Sequence, residues 1–153
     1  MREFEGEVKR VTLEAGEKAA TTIRYFLISA FSRLVLATPV DTGHARYNWQ
    51  LSVGARIGAE RPGVDKAGQR TIGEGIGKIQ AAQPFNNFYM TNNVPYIEVL
   101  EYGLFQPADP GPSKDKRDDR FGRILVANGF STQAPNGMVR VTFQALMRGF
   151  KTP

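Results

Sequence analysis

The sequence lacks cysteine altogether and has only one histidine and one tryptophan among 153 residues. Without cysteine there is no disulfide, no thiolate zinc site and no thiol nucleophile. His44 alone argues against a histidine-based metal site, and a Ser-His-Asp triad would have to use it. No apolar run approaches the roughly 20 residues that a membrane-spanning helix needs. The charged start, Met1 to Glu7, has no signal-peptide core. We therefore expect no cofactor, no metal and no membrane association.

The remaining composition is that of an ordinary globular chain with a basic balance. Apolar residues make up 41% and charged residues 23% of the sequence. These values and the length predict one domain spanning residues 1–153. The net charge is +5. A basic balance is compatible with a nucleic acid, with an acidic protein partner, or with a solvated surface that has no specific partner.

The first half of the chain predicts a long helix followed by a turn and a strand. From Val11 to Ala37, apolar residues recur every three or four positions, which places them on one helix face. Gly16 could kink this helix or delay its start to about Glu17. Thr38-Pro39 ends it, because the residue before a proline avoids the α region. From Ala45 to about Arg56, alternating apolar and polar residues predict a strand with Trp49 in the core.

The middle of the chain alternates between loop signals and short periodic segments. Glycine-rich residues 57–77 predict a flexible surface excursion, with a short helix possible from Ile76 to Ala82. A second strand is predicted at Phe85–Thr91. Pro95 suits the first turn of a short helix, and Gly103 suits its C-terminal end.

The last third contains a second predicted excursion and a closing helix. Prolines and charges predict a loop over 104–122, and Ile124–Ala127 fits a short strand or helix. Asn136–Arg148 is predicted as a helix, although Val139–Phe143 alternates like a strand. The resulting fold class is α+β. A long N-terminal helix packs on a small, mainly antiparallel sheet, with a short helix, a C-terminal helix and long mobile loops.

No catalytic arrangement is assembled by the sequence alone. Asp41-Thr42-Gly43 matches the short aspartic-protease signature, but it follows a helix end and a proline, which favours a turn capped by the Asp41 carboxylate. Gly73–Lys78 has the wrong spacing for a phosphate loop. Glu98 and Glu101 share a helix face, and a solvated or interface edge is the favoured interpretation over a catalytic pair.

Three segments carry family-like motifs. The first follows the long helix and comprises Pro39, Asp41, Thr42, Gly43, Ala45, Arg46, Asn48 and Trp49. The second comprises Asn92, Pro95, Tyr96, Leu100, Glu101, Tyr102 and Gly103. The third comprises Gln133, Ala134, Pro135, Gly137 and Met138. In order and spacing they resemble the head-to-tail joining (tail-completion) proteins of long-tailed bacteriophages, with Lys114–Asn128 placed like an insertion.

This resemblance implies a virion structural protein of the phage neck, not an enzyme. It implies a homo-oligomeric ring between the head connector and the tail-terminator or tail-tube protein, made in the host bacterial cytoplasm. Head-to-tail contacts close into such rings when the rotation permits. A net positive charge would be compatible with DNA passing through the ring. A tail-terminator or minor tail protein is the alternative, and a DNA-binding module or a hydrolase using Asp41 also stays open.

Overall fold

A computed structural model describes residues 2–105 and 126–149 of the chain. The elements in order are α1 (Arg2–Ala37), α2 (His44–Tyr47), β1 (Gln50–Val53), α3 (Gln69–Ala81), β2 (Phe88–Thr91), α4 (Ile97–Tyr102), β3 (Val126–Ala127), β4 (Phe130–Ser131) and α5 (Val139–Gly149). Most of the loop predicted at 104–122, and most of the insertion at 114–128, lies outside the described residues.

The α+β class is confirmed. β1 and β2 form a two-stranded antiparallel sheet in which Gln50 pairs with Thr91 and Val53 with Phe88. A second antiparallel pair joins β3 to β4. The end of α1 packs on α3 and α5, and α3 packs on β1, around one apolar cluster. Its fully buried members include Phe31, Leu34, Val35, Leu51, Ile79, Leu100 and Met138.

Helix α1 is longer than the sequence predicted. It is continuous over 36 residues, about 54 Å, and starts at Arg2. The helix therefore begins nine residues before the predicted Val11, and it runs through Gly16 without the late start considered there. By length and composition, Glu5–Ala37 could also cross a membrane, which the sequence analysis did not expect. The apolar C-terminal half already serves the protein core, since Phe31 and Leu34 are buried there.

The strand predicted from Ala45 is wrong in its first half. Gly43 has φ 90°, and the N–H of Tyr47 donates to its carbonyl oxygen at 2.9 Å, so one helical turn, α2, forms first. β1 begins only at Gln50. The alternation misled because Ala45 and Tyr47 are both buried although they lie in a helical turn, so alternate burial here does not require a strand.

The flexible excursion predicted for 57–77 is wrong in its second half, where α3 begins at Gln69 instead of Ile76. Its glycines favoured a loop interpretation, but Gly75 is buried directly against the Phe31 ring, where a Cβ atom would overlap. The Asp65 carboxylate accepts N–H bonds from Gly68 and Thr71, both at 2.8 Å, and so holds the N-terminus of α3.

The later elements follow the sequence more closely. β2 begins at Phe88 inside the predicted Phe85–Thr91 strand. α4 ends at Gly103, which has φ 67°, as predicted. α5 is helical, as favoured, but starts three residues after the predicted Asn136, because Gly137 has φ 81° and turns the chain into the helix.

Candidate functional site: the junction of the three motif segments

The end of α1 is tied to the tryptophan of the first motif segment. The Thr38 hydroxyl donates to the carbonyl oxygen of Leu34 at 2.8 Å. The hydroxyl oxygen of Thr38 in turn accepts the indole N–H of Trp49 at 2.7 Å. Trp49 is buried, so this bond satisfies its one polar atom inside the core. The helix end and the following turn are therefore fixed relative to each other.

Arg46 closes the C-terminal end of α1. Its guanidinium donates to the carbonyl oxygens of Leu36 at 3.0 Å and Thr38 at 2.9 Å, and to that of Lys66 at 2.6 Å. The last carbonyl groups of a helix have no partner inside the helix and carry partial negative charge. Arg46 supplies a donor to one of these groups, the carbonyl of Leu36, together with the complementary positive charge. Burial lowers the pKa of Arg46, while the nearby Asp65 opposes that shift.

Asn48 attaches the chain after β1 to α2. The side chain is fully buried. Its Oδ1 accepts the N–H of Arg61 at 2.7 Å, and its Nδ2 donates to the carbonyl oxygens of His44 and Arg61, both at 3.1 Å. A shorter or charged side chain could not make all three bonds. Asn48 therefore fixes residues near 61 as part of the junction.

The second motif segment joins the first through Asn92. Its Nδ2 donates to the carbonyl oxygen of Ala45 at 2.8 Å. Its Oδ1 accepts the N–H of Val94 at 3.3 Å, which shapes the turn that leads through Pro95 into α4. Leu100 of that helix is fully buried in the main core.

The third motif segment joins the first through Gln133. The N–H of Val40 donates to Gln133 Oε1 at 2.8 Å, and Gln133 Nε2 donates to the Val40 carbonyl oxygen at 3.0 Å. The side-chain amide thus pairs with both backbone groups of one residue, as a neighbouring strand would. Pro39, next in the chain, is buried.

The third and second segments join through Glu101. Its carboxylate accepts the N–H groups of Met138, Val139 and Arg140 at 2.7, 2.8 and 3.1 Å. These are free donors of the first turn of α5, where a negative charge also suits the helix dipole. Gly137 lies so close to the backbone of Glu101 that any Cβ would overlap its carbonyl oxygen.

These contacts correct two expectations. Glu101 is buried while Glu98 is exposed, so the two carboxylates form neither a pair nor a solvated edge. The turn-forming bond expected from Asp41 comes from Thr42, whose Oγ1 accepts the N–H of His44 at 3.2 Å. Within the described residues, the Asp41 carboxylate accepts no hydrogen bond. The exposed motif residues are Thr42, Pro95, Tyr102, Gln133 and Pro135.

His44 contacts two acceptors at the edge of the junction. Its Nε2 lies 2.5 Å from a carboxylate oxygen of Glu60, and its Nδ1 lies 2.7 Å from the carbonyl oxygen of Gly63. Neutral imidazole can donate from only one nitrogen, whereas the protonated ring donates from both. The hydrogen bond to Glu60, followed by that to Gly63, raises the pKa of His44.

A cluster of charged side chains around Tyr47 was not predicted from the sequence. The guanidinium groups of Arg61 and Arg70 lie 4.2 and 4.8 Å from the centroid of the Tyr47 ring. Both also donate to Glu74, at 2.6 and 3.0 Å. Burial raises the pKa of Glu74, but these bonds outweigh it and hold the pKa below its usual range. The only local signal was the i,i+4 spacing of Arg70 and Glu74.

A groove outside the junction shares no residue with it. It has a volume of about 820 Å³ and lies between the middle of α1, residues 84–89 and Met147 of α5. The described lining residues include no acidic or basic side chain. Over the described ranges, no group of three or more His, Cys, Asp or Glu residues could hold a metal ion.

No protein-family model, no curated protein and no solved structure matches this chain. The resemblance to phage head-to-tail joining proteins therefore rests on the three motif segments and on their arrangement.

Proposed function

We propose that this protein is a structural subunit of a phage neck, which forms a ring joining the DNA-filled head to the tail. The observation that carries the proposal is the meeting of the three motif segments in one junction. Asn92 bonds the second to the first, Gln133 the third to the first, and Glu101 the second to the third. These contacts make the three segments one structural unit, as motifs that a family shares for one task would be.

The chemistry of the junction favours an architectural role over a catalytic one. Arg46, Asn92, Glu101 and Gln133 all direct their polar atoms at backbone groups of the same chain. Such bonds fix distant segments in a set geometry. Side chains held in such bonds are already occupied, whereas a catalytic group must be able to contact a substrate. This supports a subunit built to hold its shape.

Exposed apolar surface on α1 and at the groove supports the proposal that this protein assembles with other subunits. Residues 5–19 of α1 are all exposed, including Val8, Val11 and Leu13. Phe85 and Met147 are exposed at the groove. Apolar patches of this kind mark interaction sites. DNA in the channel is a further proposed contact, because the chain carries a net charge of +5. Such binding would weaken steeply with salt and show no sequence preference.

The deciding experiment is negative-stain electron microscopy of lysates from a phage in which this gene is disabled. DNA-filled heads lying separate from full-length tails would establish joining as the function. Restoring joined virions by supplying the intact gene in trans is the control. Tails of abnormal length would replace the proposal with the tail-terminator function. Intact, joined virions without the gene would refute a role in the neck.

A further inference from the structure

The N-terminal part of α1 extends from the protein body as an exposed arm. We use this name for residues 5–19, about 22 Å of helix, every one of which is exposed. An isolated helix of this length is only marginally stable in water, even when it is rich in alanine. Gly6, Gly16 and the β-branched Val8 and Val11 weaken it further. The arm therefore needs a surface that covers it.

One face of the arm is apolar and continues into the protein body. Val8, Val11, Ala15 and Ala19 follow one another at intervals of three or four residues, which places them on one face. The same spacing leads on to Ile23 of the groove wall. Val11 is 55% exposed. Anchors at such intervals are the pattern of a helix that binds in a groove of another protein.

The groove offers an apolar surface that could cover the apolar face of the arm. Its walls are Ile23, Phe26 and Leu27 of α1, together with Phe85, Phe88 and Met147. Phe85 is 68% and Met147 is 64% exposed. The arm cannot fill the groove of its own chain, because α1 is one continuous helix that contains both the arm and a wall of the groove. Another copy can supply an arm.

Charge also favours this pairing. The arm contains four acidic and three basic residues, a net charge of −1, whereas the rest of the chain contains eleven acidic and seventeen basic ones, a net charge of +6. Arg24 and Arg148 adjoin groove residues in the chain, and the guanidinium of Arg56 lies 5.8 Å from the centroid of the Tyr89 ring. The arm therefore carries a slight charge of the sign opposite to that of these basic residues near the groove.

We propose that the arm of one copy binds in the groove of the next copy, with Val8, Val11 and Ala15 as its anchors. Repeated head to tail, this contact builds a closed ring. The ring rests on the proposed neck function, whereas the contact between arm and groove does not require that function.

The natural absence of cysteine allows a direct test by crosslinking. Val11→Cys and Phe85→Cys variants of the full chain are prepared separately, mixed and oxidised. We expect a crosslinked pair that forms only in the mixture, at about ten times the yield of a control mixture of Val11→Cys with Val64→Cys. Val64 is a suitable control because it is 57% exposed and lies outside the groove. Pairs formed mainly by Val11→Cys alone would mean that arms bind arms, and would overturn the proposal.

Self-association of charged variants gives a second readout. Val11→Asp and Phe85→Asp should each weaken association about tenfold or more, as expected for anchors of an interface, and Val64→Asp should not. Far-UV circular dichroism of each variant verifies that the body remains folded. A wild-type chain that stays monomeric well above micromolar concentration, and gives no mixed crosslink, would overturn the proposal. So would protection of Val11→Cys from a maleimide by phosphatidylcholine vesicles but not by a second copy.

The outcomes separate this proposal from the neck function. Mixed crosslinks in a closed dimer would support the arm–groove contact and overturn its use in a ring. Mixed crosslinks, together with joined virions from the gene-disabled phage, would leave the contact standing and refute the neck function. Separate heads and tails, together with no mixed crosslink, would support the neck function and overturn the arm–groove contact.

Discussion

Replacing Glu101 by alanine should release the N-terminus of α5 from α4. The carboxylate is buried and accepts three backbone N–H groups, those of Met138, Val139 and Arg140. Alanine removes the acceptor and leaves the buried N–H of Met138 without it. The helix also loses a negative charge at its positive end.

The expected loss follows from these contacts. A hydrogen bond to a charged group contributes about 1.5–3 kcal/mol, and loss of a helix N-cap costs about 0.5–2 kcal/mol. The three bonds share one carboxylate, so their contributions do not add in full. We expect Glu101→Ala to lower the free energy of unfolding by about 3–4 kcal/mol. Glu101→Gln keeps one acceptor oxygen and should lose about 1–2 kcal/mol.

Urea unfolding measures this loss, with the fluorescence of Trp49, the one tryptophan of the chain, as the probe. Glu98→Ala is the matched control, because Glu98 is exposed on the same helix. It should stay within about 0.5 kcal/mol of the wild type. A loss of less than about 1 kcal/mol for Glu101→Ala would refute the assigned capping role.

Three further predictions concern the same junction. Trp49→Ala should lower the free energy of unfolding by about 3–5 kcal/mol in urea unfolding, and a loss under about 1 kcal/mol would show that the ring is not core. Gly137→Ala should lower it by more than about 1 kcal/mol, because φ is 81° and the Cβ would meet a carbonyl oxygen. Gly73→Ala, with open space around it, should cost nothing. His44, the one histidine, should titrate in NMR above its usual pKa of about 6.5. Its contribution to stability is then present below that value and disappears as the pH rises through the folded pKa. Glu60→Gln should lower the pKa of His44, and an unchanged titration would contradict the contact.

The parts of the fold that could be predicted were those set by local sequence. The apolar periodicity before Thr38 predicts α1, and the Pro95–Gly103 segment predicts α4, because helix periodicity and end signals act within a few residues. α3 could not be predicted in full. Its glycines resemble a loop, and only contact with Phe31 shows that Gly75 permits close helix packing.

The motif residues of the candidate site were identifiable from the sequence, but their tasks were not. Gln133 bonds a residue 93 positions away, Asn92 one 47 positions away, and Glu101 residues 37 to 39 positions away. No periodicity links such distant positions. Glu101 looked like a solvated glutamate because a single helix face does not reveal which other helix covers it.

The sequence by itself determined the α+β class, the absence of thiol chemistry, the long first helix and the segments that resemble a phage joining protein. These follow from composition and from spacings over a few residues. Only the tertiary structure decided that α2 is a helix, that α3 begins at Gln69, that Glu101, Asn92 and Gln133 bind the three segments together, and that the arm lies exposed. Burial and hydrogen bonding between distant residues depend on the path of the whole chain, because each needs a partner that local sequence does not name.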